Sequence, residues 1–326
     1  MKAWEKTTTE DDSFSALTGE DHSLMPALSS MVSRLTLEHP ERQKPHTYKG
    51  AILFADVSGF TSLTEALTQE GPEGSELLNR LLGDYFTPLL SQIEAHGGFL
   101  TGFAGDALSV LFHGENSGGD TPELRALRCA MALQEETARF SSRSTPIGQV
   151  HLSIKIGLAK GTLSTAVVGS PVLGQSLIAY GGGLTRATQA ERAASPGHIC
   201  FSNTQALGIP GLDTIEVSPG ILRPKSWHWE PVILPFSPSP TATPADLRAY
   251  IPPAIWPYIT HGAGAFLNSI RTVTAMFIGF ADLTDLGEGR HGALADYIIK
   301  VQEIVDGYRG FFASFDGSDK GNTLIA

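Results

Sequence analysis

Two aspartates stand where short apolar runs end or turn. Asp56 lies near the end of the β-rich run 50–57, and Asp106 lies at the bend between the runs 99–101 and 107–112. Two adjacent carboxylates are the protein ligands that a pair of Mg²⁺ ions requires when a nucleotide supplies the other oxygens. Turn capping explains either aspartate alone equally well, but the pair in these two contexts favours a metal site.

The turn after Asp56 is a candidate phosphate site. It reads Val57-Ser58-Gly59-Phe60-Thr61 at a predicted helix start, with Thr61 able to cap the helix. Backbone N–H groups and the positive end of the helix dipole attract a polyphosphate, and glycine allows close approach. Many strand-to-helix turns contain Ser-Gly, so this signal alone is weak. The glycine triplet 181–183 is weaker still, and we interpret it first as a flexible connection.

An alternation of strands and helices must hold these residues in place. The hydrophobic periodicity predicts a strand, a helix, a two-stranded hairpin, a helix and a strand, over residues 50–57, 77–93, 99–112, 122–140 and 152–158. This is the βαββαβ order of the ferredoxin-like folds. We therefore predict an α+β fold in which Asp56 and Asp106 end neighbouring strands.

Composition limits the possible partners and location. The 326 residues are 41% hydrophobic and 17% charged, as in a soluble globular protein, and their net charge of −11 argues against a nucleic-acid or anionic-membrane binder. No apolar run approaches the length of a membrane span and no signal segment stands at the N-terminus, so we expect a cytoplasmic protein. Cys129 and Cys200 are too few for a disulfide framework and are expected in the core.

The chain divides into four parts. We predict a tail and lead-in helix over 1–48, a first domain over 49–233, a proline-rich linker over 234–268 and a partial second domain over 269–326. Residues 272–283 resemble 51–61, and a helix and a Gly-Phe motif follow in the same order, which indicates a duplication. The second copy stops inside its central hairpin, so we expect a truncated copy in a piece of a longer chain.

Three motifs carry a family resemblance. Phe-Ala-Asp-Val-Ser-Gly-Phe-Thr at 54–61, Phe-Ala-Gly-Asp-Ala at 103–107 and Ile-Lys-Ile-Gly-Leu-Ala-Lys-Gly at 154–161 resemble the class III adenylyl and guanylyl cyclase catalytic domain in order and spacing. The strongest likeness within the class is to soluble adenylyl cyclases with tandem catalytic domains. The resemblance implies conversion of ATP to cyclic AMP and pyrophosphate at the interface of two cyclase domains paired within the chain.

The same resemblance implies roles for single residues. Asp56 and Asp106, helped by the carbonyl of Val57, would hold two Mg²⁺ ions, for which Mn²⁺ can substitute. The turn of Ser58, Gly59, Phe60 and Thr61 would bind phosphates, and Lys155 would contact the triphosphate.

The second copy departs from the metal-binding pattern. Gly279 stands at the position of the first aspartate, and the position of the second falls near Gly321. Lys320 matches the lysine that reads the adenine N1 in adenylyl cyclases, although a solvated turn lysine is its other interpretation. In the first domain, Thr185 and Gln189 occupy the positions of the transition-state Asn and Arg. The missing pair is therefore expected beyond residue 326, and the chain alone is expected to be inactive.

Two other functions stay open. A degenerate cyclase module that binds nucleotide and regulates a fused C-terminal region is the first, and the intact pair Asp56 and Asp106 argues against it. A palm-type polymerase or dinucleotide cyclase is the second, but the Gly-Gly-Asp/Glu hairpin is missing. Gly102 replaces the lysine expected in bicarbonate-responsive enzymes, which argues against bicarbonate regulation.

Overall fold

Two long antiparallel strands, β1 (His46–Ser58) and β6 (Ser153–Val168), form the centre of the main sheet. The computed structural model describes residues 29, 32–38, 44–69, 71–114, 119–141, 144–145, 148–149, 151–202, 208–209, 211–226, 242–253, 255–256, 259, 274–280, 288–312, 314–318 and 321–326. None of the helices in this part of the chain combines the length and apolarity that crossing a membrane requires.

The remaining elements follow in chain order. The helices are α1 (Arg34–Glu38), α2 (Phe60–Gln69), α3 (Gly71–Ala95), α4 (Pro122–Ser141), α5 (Gly182–Ala193), α6 (Pro244–Arg248) and α7 (Glu288–Gly307). The other strands are β2 (Phe99–Ala104), β3 (Ala107–His113), β4 (Ser144–Thr145), β5 (Gly148–Gln149), β7 (Ser176–Tyr180), β8 (Ile199–Ser202), β9 (Asp213–Ser218), β10 (Ile221–Ser226), β11 (Phe277–Phe280), β12 (Ser314–Ser318) and β13 (Gly321–Ile325).

The strand order confirms the predicted fold class. The main sheet runs β2-β3-β1-β6-β8-β10-β9, with β7 paired to β6. Its first four strands are antiparallel neighbours, and the helices α2 and α3 precede β2 while α4 precedes β6. This is the ferredoxin-like βαββαβ arrangement. The chain is therefore α+β, as the alternation predicts.

The alternation of β1 gives the sheet two buried faces. Leu53 and Ala55 pack in the cluster that contains buried leucines of α3 and α4. Ile52 instead packs with Leu184 and Ala187 of α5. Because successive side chains of a strand point to opposite faces, Asp56 lies on the same face as Ile52, the face covered by α5.

Several sequence expectations need correction in detail. Helix α2 begins at Phe60, so Thr61 lies inside the helix rather than at its cap. Strand β6 continues to Val168, ten residues past the predicted end. The triplet 181–183 is not a flexible connection, because its last two residues form the first turn of α5. Cys129 and Cys200 are free and buried, as predicted, and burial raises the pKa of the Cys129 thiol.

The residues after 274 form a second, smaller sheet. Its order is β11-β13-β12, and α7 lies between β11 and β12 in the chain. The first three strands of the main sheet show the same order, β1-β3-β2, with their helices in the same place. This parallel supports the predicted second copy, which stays a prediction.

This second unit packs on the far end of β6 and on β7. The shared cluster contains residues of both units, namely Ala166, Val168, Ile178, Tyr180, Leu294, Ile298, Phe312 and Leu324. Buried Gln302 of α7 accepts a hydrogen bond from the backbone N–H of Ser170 and donates one to the carbonyl of Gly174, both at 2.8 Å. The loop after β6 is thus fastened to α7.

The described part of the proline-rich segment contains a short helix. Thr243 and Asp246 form a capping box at the start of α6. Leu247 and Ile251 are buried in a cluster that partly buried Leu37 of α1 also contacts. Residues of this segment are thus packed in its described part, and its assignment as a linker stays a prediction.

Candidate active site

Strand register brings Asp56 and Asp106 to one end of the β1–β3 pair. The last registered pair joins Ala55 to Leu108. Asp56 is the next residue along β1, and Asp106 lies two residues before Leu108, in the turn between β2 and β3. Because the two strands are antiparallel, both carboxylates lie at the same edge of the sheet.

A row of aromatic rings fixes the two turns relative to each other. Phe60 follows the Asp56 turn, and its ring lies 6.2 Å from that of Phe86 on α3. The ring of Phe86 lies 5.9 Å from that of Phe103, near the end of β2. Edge-to-face contacts of this kind stabilise a defined geometry. Helix α3 therefore holds together the two loops that carry the carboxylates.

The turn predicted to bind phosphate requires glycine. Gly59 has a φ of +97°, and a Cβ there would lie 2.6 Å from the carbonyl oxygen of His151. Its own carbonyl accepts the hydrogen bond from the N–H of Leu63, at 3.3 Å, at the beginning of α2. The N–H groups of the first turn thus follow directly after Asp56, but the side chain of Phe60 packs on the core. Phosphate binding by this turn stays a prediction.

Lys155 lies directly opposite Asp56 across the β1–β6 pair. Its Nζ lies 3.2 Å from Oδ2 of Asp56 and also forms a short ion pair with Oε1 of Glu191 on α5. Directly opposed residues of an antiparallel pair share a face and contact each other. One ammonium is therefore shared by two carboxylates from two different elements.

A glycine explains why α5 reaches Lys155. Gly157 lies two residues further along β6, on the same face. A Cβ at Gly157 would overlap the carbonyl oxygen of Ala187 and the backbone nitrogen of Glu191. The bare backbone lets α5 rest directly on β6, which sets Glu191 beside Lys155.

The charges of this cluster leave an excess of one negative charge. Burial lowers the pKa of Lys155, but the hydrogen bonds and charges of Glu191 and Asp56 outweigh it, so that the pKa is raised overall. Burial raises the pKa of Glu191, and the charge of Asp56 adds to this effect. Lys155 therefore stays protonated and only partly neutralises its two neighbours.

Sequence reasoning did not identify Glu191. It lies two residues after Gln189 on α5, and its side chain is 7% exposed. A glutamate buried so deeply would have been a signal, but its burial could not be predicted from a short amphipathic helix.

The donor set fits a hard divalent cation. Asp56 and Asp106 offer carboxylate oxygens and Val57 a carbonyl, which are the ligands that Mg²⁺ prefers. Among the residues that the structure describes, no three His, Cys, Asp or Glu side chains converge on one point. Oxygens from water or from a bound nucleotide would complete the coordination.

The remaining predicted positions are spread over other elements. Thr185 and Gln189 lie on α5, and Gln189 is exposed. Gly279 lies on β11 and Gly321 begins β13. Lys320 lies outside the described residues, so its predicted role in base binding is not tested.

Known families and proteins give an independent comparison. A family model described as the adenylate and guanylate cyclase catalytic domain matches residues 43–210, which is more than half of the chain. The adenylate cyclase of Anabaena cylindrica is 31% identical over 144 residues, 43% of this chain and 26% of that protein. Adenylate cyclase type 10 of Rattus norvegicus is 29% identical over 132 residues, 40% of this chain and 8% of that protein.

The match thus spans about a quarter of the first of these relatives and less than a tenth of the second. Among solved structures, the adenylyl cyclase CyaB from P. aeruginosa aligns with 57% of this chain and 97% of its own, at 21% identity and a TM-score of 0.45.

Proposed function

Because the chain belongs to the adenylate and guanylate cyclase catalytic domain family, we propose that it converts ATP to cyclic AMP and pyrophosphate with the aid of two divalent metal ions. The reaction is an in-line attack of the ribose 3′-hydroxyl on the α-phosphate. The cyclic phosphodiester forms as the bond to pyrophosphate breaks, and the hydroxyl proton is lost to solvent.

One observation supports this proposal above the others. The register of β1 and β3 sets Asp56 and Asp106 at the same sheet edge, and the Gly59 turn begins a helix beside them. Carboxylates beside a helix start suit a metal-bound polyphosphate. When bound, the metal ions would lower the pKa of the 3′-hydroxyl and stabilise the charge of the leaving pyrophosphate.

The chain itself positions charge. Asp56 and Asp106 would hold the cations, the first-turn N–H groups of α2 would bind phosphate oxygens, and Lys155 would reach the triphosphate. The row of rings through Phe86 keeps the two carboxylate loops at a fixed separation, as preorganised electrostatic catalysis requires.

The choice of ATP depends on Lys320. An ammonium group donates a hydrogen bond to the unprotonated N1 of adenine, whereas N1 of guanine carries a proton. Losing a hydrogen bond to a charged group costs roughly 1.5 to 3 kcal/mol. Lys320→Glu should therefore lower the ratio of kcat/KM for ATP to kcat/KM for GTP about tenfold to a hundredfold. An unchanged ratio would mean that Lys320 does not select ATP.

The second unit would complete the site as the partner domain. Phe312 and Leu324 pack on β7 and on the Val168 end of β6, so the two units are in contact at the end of β6 opposite to Lys155. We propose that this partner supplies base recognition, while the first domain supplies the metal ligands.

The test is nucleotide binding and turnover with matched carboxylate variants. Mn²⁺-dependent ATP binding and cyclic AMP formation are measured for the 326-residue chain and for the complete product of its gene. Asp56→Asn and Asp106→Asn should each lower turnover on the order of a hundredfold without shifting thermal unfolding. The control is Asp84→Asn, which removes an exposed carboxylate of α3. A variant at either site residue that keeps most of its turnover contradicts the assignment of that residue.

A regulatory module without turnover is the second candidate. It is favoured by Thr185 and Gln189, since neither side chain can replace the transition-state Asn and Arg. This candidate predicts ATP binding that depends on Asp56 and on Mn²⁺, with no cyclic AMP from the complete gene product. Cyclic AMP formation that Asp56→Asn abolishes would exclude it.

A further inference from the structure

We infer that the ammonium of Lys155 neutralises Asp56 while no metal ion is bound there, and that a bound metal ion displaces Lys155 from Asp56. Glu191 is then the positioning residue that retains Lys155 beside the site. The inference rests on the proposed function only in taking Asp56 as a metal ligand. It adds a residue, Glu191, and an exchange of partners that accompanies metal loading.

Shared contacts carry the first step of the argument. Nζ of Lys155 lies within ion-pair distance of Oδ2 of Asp56 and Oε1 of Glu191 at once. An ammonium and a metal ion are both cations, and their mutual repulsion at one carboxylate lowers the affinity of Asp56 for each in the presence of the other. Metal binding and the Lys155–Asp56 contact therefore compete.

Burial decides which contact is given up. The side chain of Glu191 is 7% exposed, whereas that of Asp56 is 33% exposed. A buried carboxylate that loses its ammonium partner pays a large desolvation penalty, while a partly exposed one is solvated by water. Lys155 is thus retained by Glu191 and released by Asp56.

The backbone favours the same outcome. Lys155 and Asp56 are fixed opposite each other by strand pairing, and Glu191 is fixed by the close packing of α5 on Gly157. Only the flexible lysine side chain needs to move. After the exchange, its ammonium remains next to the metal site, within reach of a polyphosphate that arrives with the metal.

The test measures the affinity for Mn²⁺ alone, by electron paramagnetic resonance of the 326-residue chain without nucleotide. Lys155→Met removes the competitor and should tighten Mn²⁺ binding about fivefold, the size expected for one partly exposed ion pair. Glu191→Gln leaves Lys155 to Asp56 alone and should weaken Mn²⁺ binding by a similar factor.

A double variant separates the exchange from a general effect of charge. With Lys155→Met in place, Glu191→Gln should no longer weaken Mn²⁺ binding, because the two residues act through one contact. The matched controls are Lys160→Met and Glu123→Gln. Lys160 and Glu123 form a 2.8 Å ion pair with each other, and the side chain of Glu123 is 7% exposed, like that of Glu191. Both controls should leave the Mn²⁺ affinity unchanged.

Three results would overturn the inference. These are equal Mn²⁺ affinity in Lys155→Met and the parent chain, no Mn²⁺ binding by either protein, and an equal loss from Glu191→Gln in both backgrounds. Failure of the proposed function looks different. In that case the Mn²⁺ affinities follow the pattern above, but the complete gene product forms no cyclic AMP.

Discussion

Gln302→Leu should loosen the second unit from β6. The substitution keeps the approximate volume but removes both hydrogen bonds of the buried amide, to the N–H of Ser170 and the carbonyl of Gly174. Leaving a buried polar group unpaired costs about 1 to 3 kcal/mol. Two groups lose their partners here, and water that enters the loosened contact offsets part of the cost. We therefore expect the contact between the two units to lose about 2 to 4 kcal/mol of free energy.

Hydrogen exchange with mass spectrometry reads this loss locally. The amides of the loop after β6 and of α7 should exchange faster, while those of β1 and β3 keep their protection. The matched control is Gln134→Leu, which removes one exposed hydrogen bond to the carbonyl of Gly197 and should cost less than about 1 kcal/mol.

The result that would refute this reasoning is specific. If Gln302→Leu changes exchange in α7 and the loop no more than Gln134→Leu does, the amide of Gln302 does not fasten the two units in solution. The proposed pairing within the chain would then lose its polar anchor and depend on the shared apolar cluster alone.

Two further predictions concern the first domain. Gly59→Ala should lower the free energy of unfolding by about 1 to 3 kcal/mol, because alanine adds both the strain of a positive φ and a clash with His151. The control is Gly71→Ala, which adds the strain alone, since Gly71 has a φ of +72° and open space around it. Equal losses of stability for the two variants in denaturant unfolding would contradict the clash. Burial raises the pKa of Tyr85 to about 12, so the fold favours the neutral phenol, and this contribution is complete below the unfolded pKa of about 10 and lost as pH rises toward 12. Tyr85→Phe should flatten the pH dependence of unfolding by about 3 kcal/mol over that window, and parallel curves for the two proteins would show that Tyr85 is not the group responsible.

Local pattern was sufficient to predict the carboxylate pair. Apolar runs identify β1, β2 and β3, and the antiparallel order of a βαββαβ unit then brings Asp56 and Asp106 to one edge. The positions of the two aspartates at strand ends are enough for this prediction, which needs no knowledge of side-chain packing.

The contact between Lys155 and Glu191 could not be predicted in the same way. The two residues are 36 positions apart, and they meet because β8 pairs parallel to β6 and because α5 rests on Gly157. The periodicity of hydrophobic residues predicts single strands and helices, but it predicts neither the pairing of β8 with β6 nor the packing of α5 on β6.

Proline content alone does not determine the structure of the segment 234–268. Pro244 occupies the first turn of α6, directly after the capping residue Thr243. A proline in this position loses no hydrogen bond, because the N–H it lacks has no partner within the helix. A count of prolines alone therefore does not exclude a packed helical turn, and the linker over 234–268 stays a prediction.

Strand β6 extends from the candidate active site to the contact with the second unit. Lys155 lies near its start and Val168 at its end, about 40 Å apart along an extended backbone, and thirteen registered pairs tie its length to β1. One strand therefore carries Lys155 near its start and contacts the second unit at its end, so the candidate active site and the contact between the two units are parts of the same sheet.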